Sequence, residues 1–196
     1  PEPYFRQNLL LSKDLSIFYG DRCVANGISL TLNRGDRIAL VGRNGCGKSS
    51  LLKLLVGQPI AHTGTLEIGS RLTVSYVPQD MSFLSGSADD FAAESEIDIT
   101  LFKTILRKLD FKRTQFTKDM SEFSMGQKKK VLLARSLCQR ANLYIWDEPL
   151  NYIDVISRLQ IETLILEYKP TMLFVEHDEA FVNDIATKVC RISLNQ

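Results

Sequence analysis

The sequence predicts an α/β fold: a parallel core sheet, an antiparallel β-sheet added in front of it, and a small helical insertion. Three observations carry this expectation. The stretch Gly42-Arg43-Asn44-Gly45-Cys46-Gly47-Lys48-Ser49 fits G-x-x-x-x-G-K-[ST] without mismatch, between residues 37–41, which read as a buried strand, and residues 50–56, which read as a buried helix closed by Gly57. After residue 36, strand-like and helix-like runs alternate, as βαβ units do. The residues before it carry strand signals only, broken at Gly20-Asp21, a hairpin signal.

Size and composition narrow the classes. With 196 residues the chain is one large domain, or one domain with a small subdomain, long enough to bury a core. Its 44% hydrophobic and 24% charged content is that of a soluble globular protein. No apolar run approaches the roughly 20 residues that span a bilayer, so no membrane insertion is expected. Pro1-Glu2-Pro3-Tyr4 has no signal-peptide character and no initiator Met, so the expectation is a piece of a longer chain. Cys23, Cys46, Cys138 and Cys190 form no C-x-x-C pair, which points to a reducing compartment rather than a disulfide framework or zinc site. Cys46, inside the phosphate loop, reads as a tolerated small residue. Net charge is only +1, but residues 103–140 carry eleven basic and three acidic side chains, a local +8 against −7 elsewhere. That region either faces a polyanion or is a solvated helical face.

In chain order, residues 9–19 and 22–32 read as a strand hairpin, with Tyr19 just before the turn. Residues 64–68 and 72–77 read as another strand pair, stopped by Pro78-Gln79. Residues 81–95 are polar and mixed, a loop or weak helix. Leu101, Ile105 and Leu109 form a helical stripe near an Asp98 or Thr100 cap, and the basic stretch then runs to Phe123 with weaker periodicity. Ser124-Met125-Gly126-Gln127 is a candidate capping box opening an apolar helix through Val131–Leu133 and Leu137. Residues 143–146 read as a buried strand, 154–168 as a helix ended before Pro170, 171–175 as a strand, 179–185 as a short helix and 188–194 as a final strand.

The phosphate loop needs its strand–loop–helix setting, because glycines turn backbone N–H groups inward and the helix N-terminus adds positive partial charge. Gly42, Asn44, Gly45, Gly47 and Ser50 belong to this cradle. Lys48 is placed to reach the β- and γ-phosphates of a nucleoside triphosphate, and Ser49 to offer its hydroxyl to Mg²⁺. Asp147-Glu148, directly after an apolar strand, supplies the expected partners. The Asp holds Mg²⁺ directly or through water; the Glu orients or deprotonates the attacking water. A solvated turn into Pro149 is the bland alternative.

These residues belong to a larger resemblance. Phe123-Ser124-Met125-Gly126-Gln127, about 20 residues before Asp147, resembles Leu-Ser-Gly-Gly-Gln, the signature motif of ATP-binding cassette (ABC) ATPases. Val77-Pro78-Gln79 is similar to that family's Q-loop, Asn151-Tyr152-Ile153-Asp154 to its D-loop, and Val175-Glu176-His177-Asp178 to its switch-histidine segment. Tyr19 falls where an aromatic stacks on adenine. With the phosphate loop and Asp147-Glu148, these elements stand in the right order and cover nearly the whole chain. The resemblance implies an ABC-cassette P-loop NTPase with its helical subdomain at about residues 80–140. Its cofactors are ATP and Mg²⁺, with Glu148, His177 and Gln79 as catalytic residues. It implies Ser49, Gln79 and Asp147 at the metal, and Ser124, Gly126 and Gln127 on an ATP held by an opposing cassette. Met125 replaces the usual glycine, Phe123 the leucine and Trp146 a common aliphatic residue; Glu148 is retained.

Glu148-Pro149-Leu150-Asn151-Tyr152-Ile153-Asp154 is similar to the Glu-Pro-Thr-Asn-His-Leu-Asp run of the ABC-F branch. That branch is soluble and cytoplasmic, carries two cassettes in one chain and acts on ribosomes. Leu-Asn-Tyr-Ile-Asp and Val-Glu-His-Asp look most like its antibiotic-resistance ribosomal-protection members, in their second cassette. The resemblance therefore implies a second cassette and the ribosome or its RNA as partners. The alternative is the ATP-binding subunit of a membrane transporter.

Overall fold

The computed structural model describes residues 8–193. The last residue of the expected final strand, 194, lies outside them, as do Pro1–Tyr4. Strands β1 (Asn8–Tyr19) and β2 (Arg22–Asn33) form the expected antiparallel hairpin, with Tyr19 opposite Arg22 across Gly20-Asp21. Strand β4 (Ala61–Ile68) adds to the other side of β1, giving the order β2-β1-β4. Strands β3 (Arg37–Val41), β5 (Val74–Val77), β6 (Leu143–Asp147), β7 (Met172–Val175) and β8 (Lys188–Arg191) make a second sheet in the order β5-β6-β7-β3-β8, parallel throughout.

One expectation is corrected here. The runs at 64–68 and 72–77 are both strands, but they do not pair with each other. Leu10 faces Ile68 in the antiparallel sheet, whereas Val74 faces Leu143 in the parallel one. The short segment between them is a crossing from one sheet to the other.

Both faces of the parallel sheet are covered, so its strands are near-continuous apolar runs. Period-two alternation divides them between two cores. Ile38, Leu40, Ile145, Leu173 and Val175 pack with the antiparallel sheet and with helix α1 (Lys48–Leu55). Ala39, Trp146, Met172 and Phe174 face the helices. Those are α2 (Ala88–Glu94), α3 (Ile99–Lys108), α4 (Met125–Cys138), α5 (Val155–Tyr168) and α6 (Glu179–Ile185). Trp146 is fully buried because its indole N–H donates to Ser136 Oγ at 2.8 Å, so the bulky polar handle is satisfied.

The caps follow the sequence. Asp98 accepts from Leu101 N at 2.7 Å. Asp154 accepts from Ser157 N at 2.8 Å and pairs with Lys130 at 2.6 Å. The stretch at 81–95 holds the helix α2, started by Ser87 accepting from Asp90 N at 3.0 Å. The basic stretch breaks into two 3-10 turns, Arg113–Gln115 and Met120–Glu122.

Asp154 gives a pH prediction. Burial raises its pKa, but bonds from Lys130 and Ser157 outweigh this and hold it at about 2, below the ordinary 3.8. A depressed carboxyl contributes stability that is complete above the ordinary value and is lost as pH falls through the folded one. Asp154→Asn, which keeps the side-chain oxygen cap but not the ion pair, is expected to flatten the fall of melting temperature between about pH 4 and pH 2. Unchanged acid titration of stability would contradict the assignment.

Candidate functional site

Because the second sheet is parallel, the C-terminal ends of its strands lie along one edge, where α/β sheets bind ligands. Strand β3 ends into the phosphate loop, β5 into Pro78-Gln79, β6 into Asp147-Glu148 and β7 into Glu176-His177. Segments distant in sequence are thus brought together by topology alone.

A cleft of about 470 Å³ opens over this edge. Asn44, Gly45, Gly47, Lys48, Ser49 and Ser50 line it from the loop and α1, and Gln79 and Glu148 close the far side. Gly47 has to be glycine: its φ is +86°, and a Cβ would lie 2.5 Å from the Val24 carbonyl oxygen. Helix α1 starts at Gly47 with no side-chain cap, leaving its first N–H groups to a ligand. Lys48 is 6% exposed and closes the loop from inside, donating from Nζ to the carbonyls of Gly42 (2.8 Å) and Arg43 (3.0 Å). Cys46 is buried against the lysine, its Sγ 3.9 Å from Nζ.

Asp147 is completely buried, and neither carboxylate oxygen has a hydrogen-bond partner. Burial raises its pKa and neighbouring Glu148 adds to that. Ser49, Lys129 and Lys53 favour the charged form without reversing the shift. Ser49 stands beside the carboxylate, outside hydrogen-bond geometry. An orphaned buried carboxylate is costly unless something binds it. A cation fits the need: Asp147 with the Ser49 hydroxyl would offer a hard oxygen pair of the type Mg²⁺ takes. Among the described residues no group of three His, Cys, Asp or Glu is arranged to hold a metal.

Glu148 adopts φ +49°, rare for a non-glycine residue, which turns its side chain out over the cleft. Asn151 Nδ2 donates to one carboxylate oxygen at 2.5 Å, and His177 Nε2 lies 3.3 Å from the other. Burial pushes its pKa up, but the neighbouring Gln79, His177 and Asn151 side chains more than offset this, so the carboxyl lies below its ordinary 4.5. At neutral pH it is an ionised acceptor.

The signature residues stand apart from this cleft. Ser124 Oγ accepts from Gln127 N at 3.2 Å while Gln127 Oε1 accepts from Ser124 N at 2.9 Å, the predicted capping box. Ser124 itself is exposed. Gly126 lies against the loop at 151–154, where a Cβ would meet the Tyr152 carbonyl oxygen at 2.6 Å. Tyr19 is 48% exposed at the hairpin end and does not line the cleft. Its ladder partner Arg22 does, with Val24. The sequence does not mark those two, although they sit directly across the turn from Tyr19. It places Asn151 only in the D-loop run, not at the Glu148 carboxylate.

The eleven basic residues do not form one charged face. Lys129 is 1% exposed beneath the acids. Burial lowers its pKa against the pull of Asp147, Glu148 and Glu176. Lys130 is paired with Asp154, and Arg135 is half-buried and donates to the Tyr76 carbonyl. Lys129 and Lys130 in the first turns of α4 are thus compensated from within.

The comparisons agree with this geometry. The family model described as "ABC transporter" matches residues 25–151. The chain belongs to the ABC transporter ATPase family. Its parallel and antiparallel sheets are the ABC cassette fold, and ABC ATPase domains bind ATP, usually with Mg²⁺, and pair with a second cassette. The putative ATP-binding protein YdiF of Bacillus subtilis is 35% identical over 193 residues, covering 94% of this chain and 30% of that protein. ABC transporter F family member 2 of Arabidopsis thaliana is 29% identical over 192 residues, covering 95% of this chain and 28% of that protein. The solved complex of an archaeal ribosomal stalk protein with the archaeal ribosome recycling factor aligns over 100% of this chain and 39% of its own. Its TM-score is 0.78 at 25% identity. The chain thus spans about a third of the length of these relatives. No described helix is long and apolar enough to cross a membrane.

Proposed function

We propose that this cassette binds Mg·ATP, closes with a second cassette around two nucleotides and hydrolyses them, as part of a soluble, cytoplasmic ABC-F protein that acts on the ribosome. In this reading residues 80–140 are the helical subdomain, and the chain is one of two cassettes in its parent. The observation that carries the hydrolytic part is the pair of successive acids at the end of β6. Asp147 is buried with both oxygens unbonded, and Glu148 is turned out over the phosphate loop.

The residues divide the work by their chemistry. The loop amides and the α1 N-terminus hold the phosphates, and Lys48 supplies the countercharge. Ser49, Asp147 and Gln79 would hold Mg²⁺, which would supply neutralising charge for the phosphates. Glu148 accepts the proton of the attacking water. His177 donates to a phosphate oxygen, and Tyr19 stacks on the adenine. Ser124, Gly126 and Gln127, which face no phosphate of their own chain, complete the partner's site.

The ribosomal part is supported by the names of the relatives. One is an ABC transporter F family member, and one structural neighbour is a ribosome recycling factor. The run Leu150-Asn151-Tyr152-Ile153-Asp154 extends the reading to antibiotic resistance by ribosomal protection. Ribosome co-sedimentation tests it. Protein carrying Glu148→Gln is expected to pellet with ribosomes in Mg·ATP and not in ADP. Lys48→Ala, by removing the phosphate countercharge, is expected to weaken ATP binding at least about tenfold and abolish that pelleting. Pelleting that ignores the nucleotide, or co-purification with a membrane-embedded partner, would replace this reading with that of a transporter subunit.

A further inference from the structure

His177 lies between two acids that the phosphate chemistry does not use. Glu176 is 5% exposed, and no described residue forms an ion pair with it. Its Oε1 accepts the N–H of His177 at 2.8 Å and, more loosely, that of Asp178 at 3.4 Å. Its Oε2 accepts the N–H of Leu150 at 3.1 Å. One buried side chain thus binds the backbone of the switch-histidine segment and the backbone just after Glu148. Asp178 makes a second tie, taking Nη1 (2.6 Å) and Nη2 (2.8 Å) of Arg158 on α5 while capping α6. The loop between these ties reaches the signature helix, through Tyr152 against Gly126 and through the Lys130–Asp154 pair.

We propose that Glu176 is a positioning residue: its carboxylate fastens His177 and the Leu150 end of the following loop into one unit, so that His177 and Glu148 meet ATP in fixed register. The inference rests on the hydrolytic reading above. The residue type follows from the bonds it makes. Only a carboxylate offers acceptors on both oxygens and no competing donor. A carboxamide accepts on one oxygen and turns its NH₂ toward the other N–H, and a methyl group strands both. The distance between His177 Nε2 and Glu148 Oε1 is 3.3 Å, at the long end of a hydrogen bond, so a small slip of either segment separates them.

The test compares Glu176→Ala and Glu176→Gln with wild type in ATP turnover, ATP binding and amide exchange. For Glu176→Ala, kcat is expected to fall at least about tenfold with KM for ATP within about threefold, as loss of a supporting residue does. Glu176→Gln, keeping one acceptor, is expected to recover part of kcat. In the nucleotide-free protein the amides of Leu150 and His177 are expected to exchange at least about tenfold faster in Glu176→Ala. Unchanged kcat in a folded variant, or a loss of activity that only tracks a lower melting temperature with KM rising in step, would overturn the proposal. So would unchanged exchange at both amides. If wild-type protein hydrolyses no ATP, the hydrolytic reading fails on its own, and the exchange comparison still decides whether Glu176 fastens the two segments.

Discussion

Glu148→Gln is expected to lower ATP turnover by about 10²-fold or more while leaving Mg·ATP binding within about threefold. The carboxamide fills the same space and can keep an acceptor toward Asn151, so the loop from Glu148 to Asp154 has no reason to move. What disappears is the capacity to take a proton from water. Binding is spared because Glu148 contributes negative charge to the cleft, beside a buried Asp147 that is itself uncompensated by any hydrogen bond. Removing one negative charge near a bound triphosphate relieves repulsion, which offsets the weaker hydrogen bonding of a neutral carboxamide. With turnover blocked and binding intact, ATP stays between the cassettes and holds them closed. The variant is therefore expected to dimerise in Mg·ATP, read by light scattering or sedimentation. A variant that stays monomeric under saturating Mg·ATP would count against the two-cassette sandwich, and one that still hydrolyses would remove Glu148 from its role.

What the sequence makes legible follows one physical rule. Signals that depend on near neighbours survive, and those that depend on distant packing do not. The phosphate loop, the Ser124–Gln127 box and the cap at Asp98 are local patterns, and all are present. Strands such as Met172–Val175 are legible because burial on both faces makes them wholly apolar. The partners of β4 and β5 are not. A short gap between two strands looks like a hairpin, and only the competing pairings with β1 and β6, far away in the chain, decide otherwise. Charge misleads for a related reason. The basic stretch at 103–140 reads as facing either a polyanion or solvent, yet helical rotation sends Lys129 inward to the acids and Lys130 to Asp154. Glu176 is one of four polar or charged letters in Glu-His-Asp-Glu, and nothing nearby marks it as the buried one.

Gly126→Ala sets a local preference against a tertiary contact, and the contact is expected to win. By helix propensity alone alanine at the start of α4 stabilises by roughly 1 kcal/mol. Its Cβ, however, would stand 2.6 Å from the Tyr152 carbonyl oxygen, which is backbone and cannot rotate away. Tyr152 is itself held at φ +67° in a loop closed by the Ile153 N–H to Leu150 carbonyl bond, with Asp154 fixed to Lys130 and Ser157 beyond it. Either the signature turn or this loop must shift, by an amount comparable to the missing ångström. Misplacement on that scale costs about 10²-fold in a reaction that depends on alignment. Turnover is therefore expected to fall by about that factor, while ATP affinity of the phosphate loop stays within about threefold, because Gly126 does not line the cleft. Equal turnover in Gly126→Ala and wild type would show that this close approach does not govern the shared site. The same geometry accounts for Met125, which stands where the resembled motif has its first glycine. Met125 is 46% exposed at the helix start, so that position admits a side chain, whereas the next is closed by the loop of its own cassette.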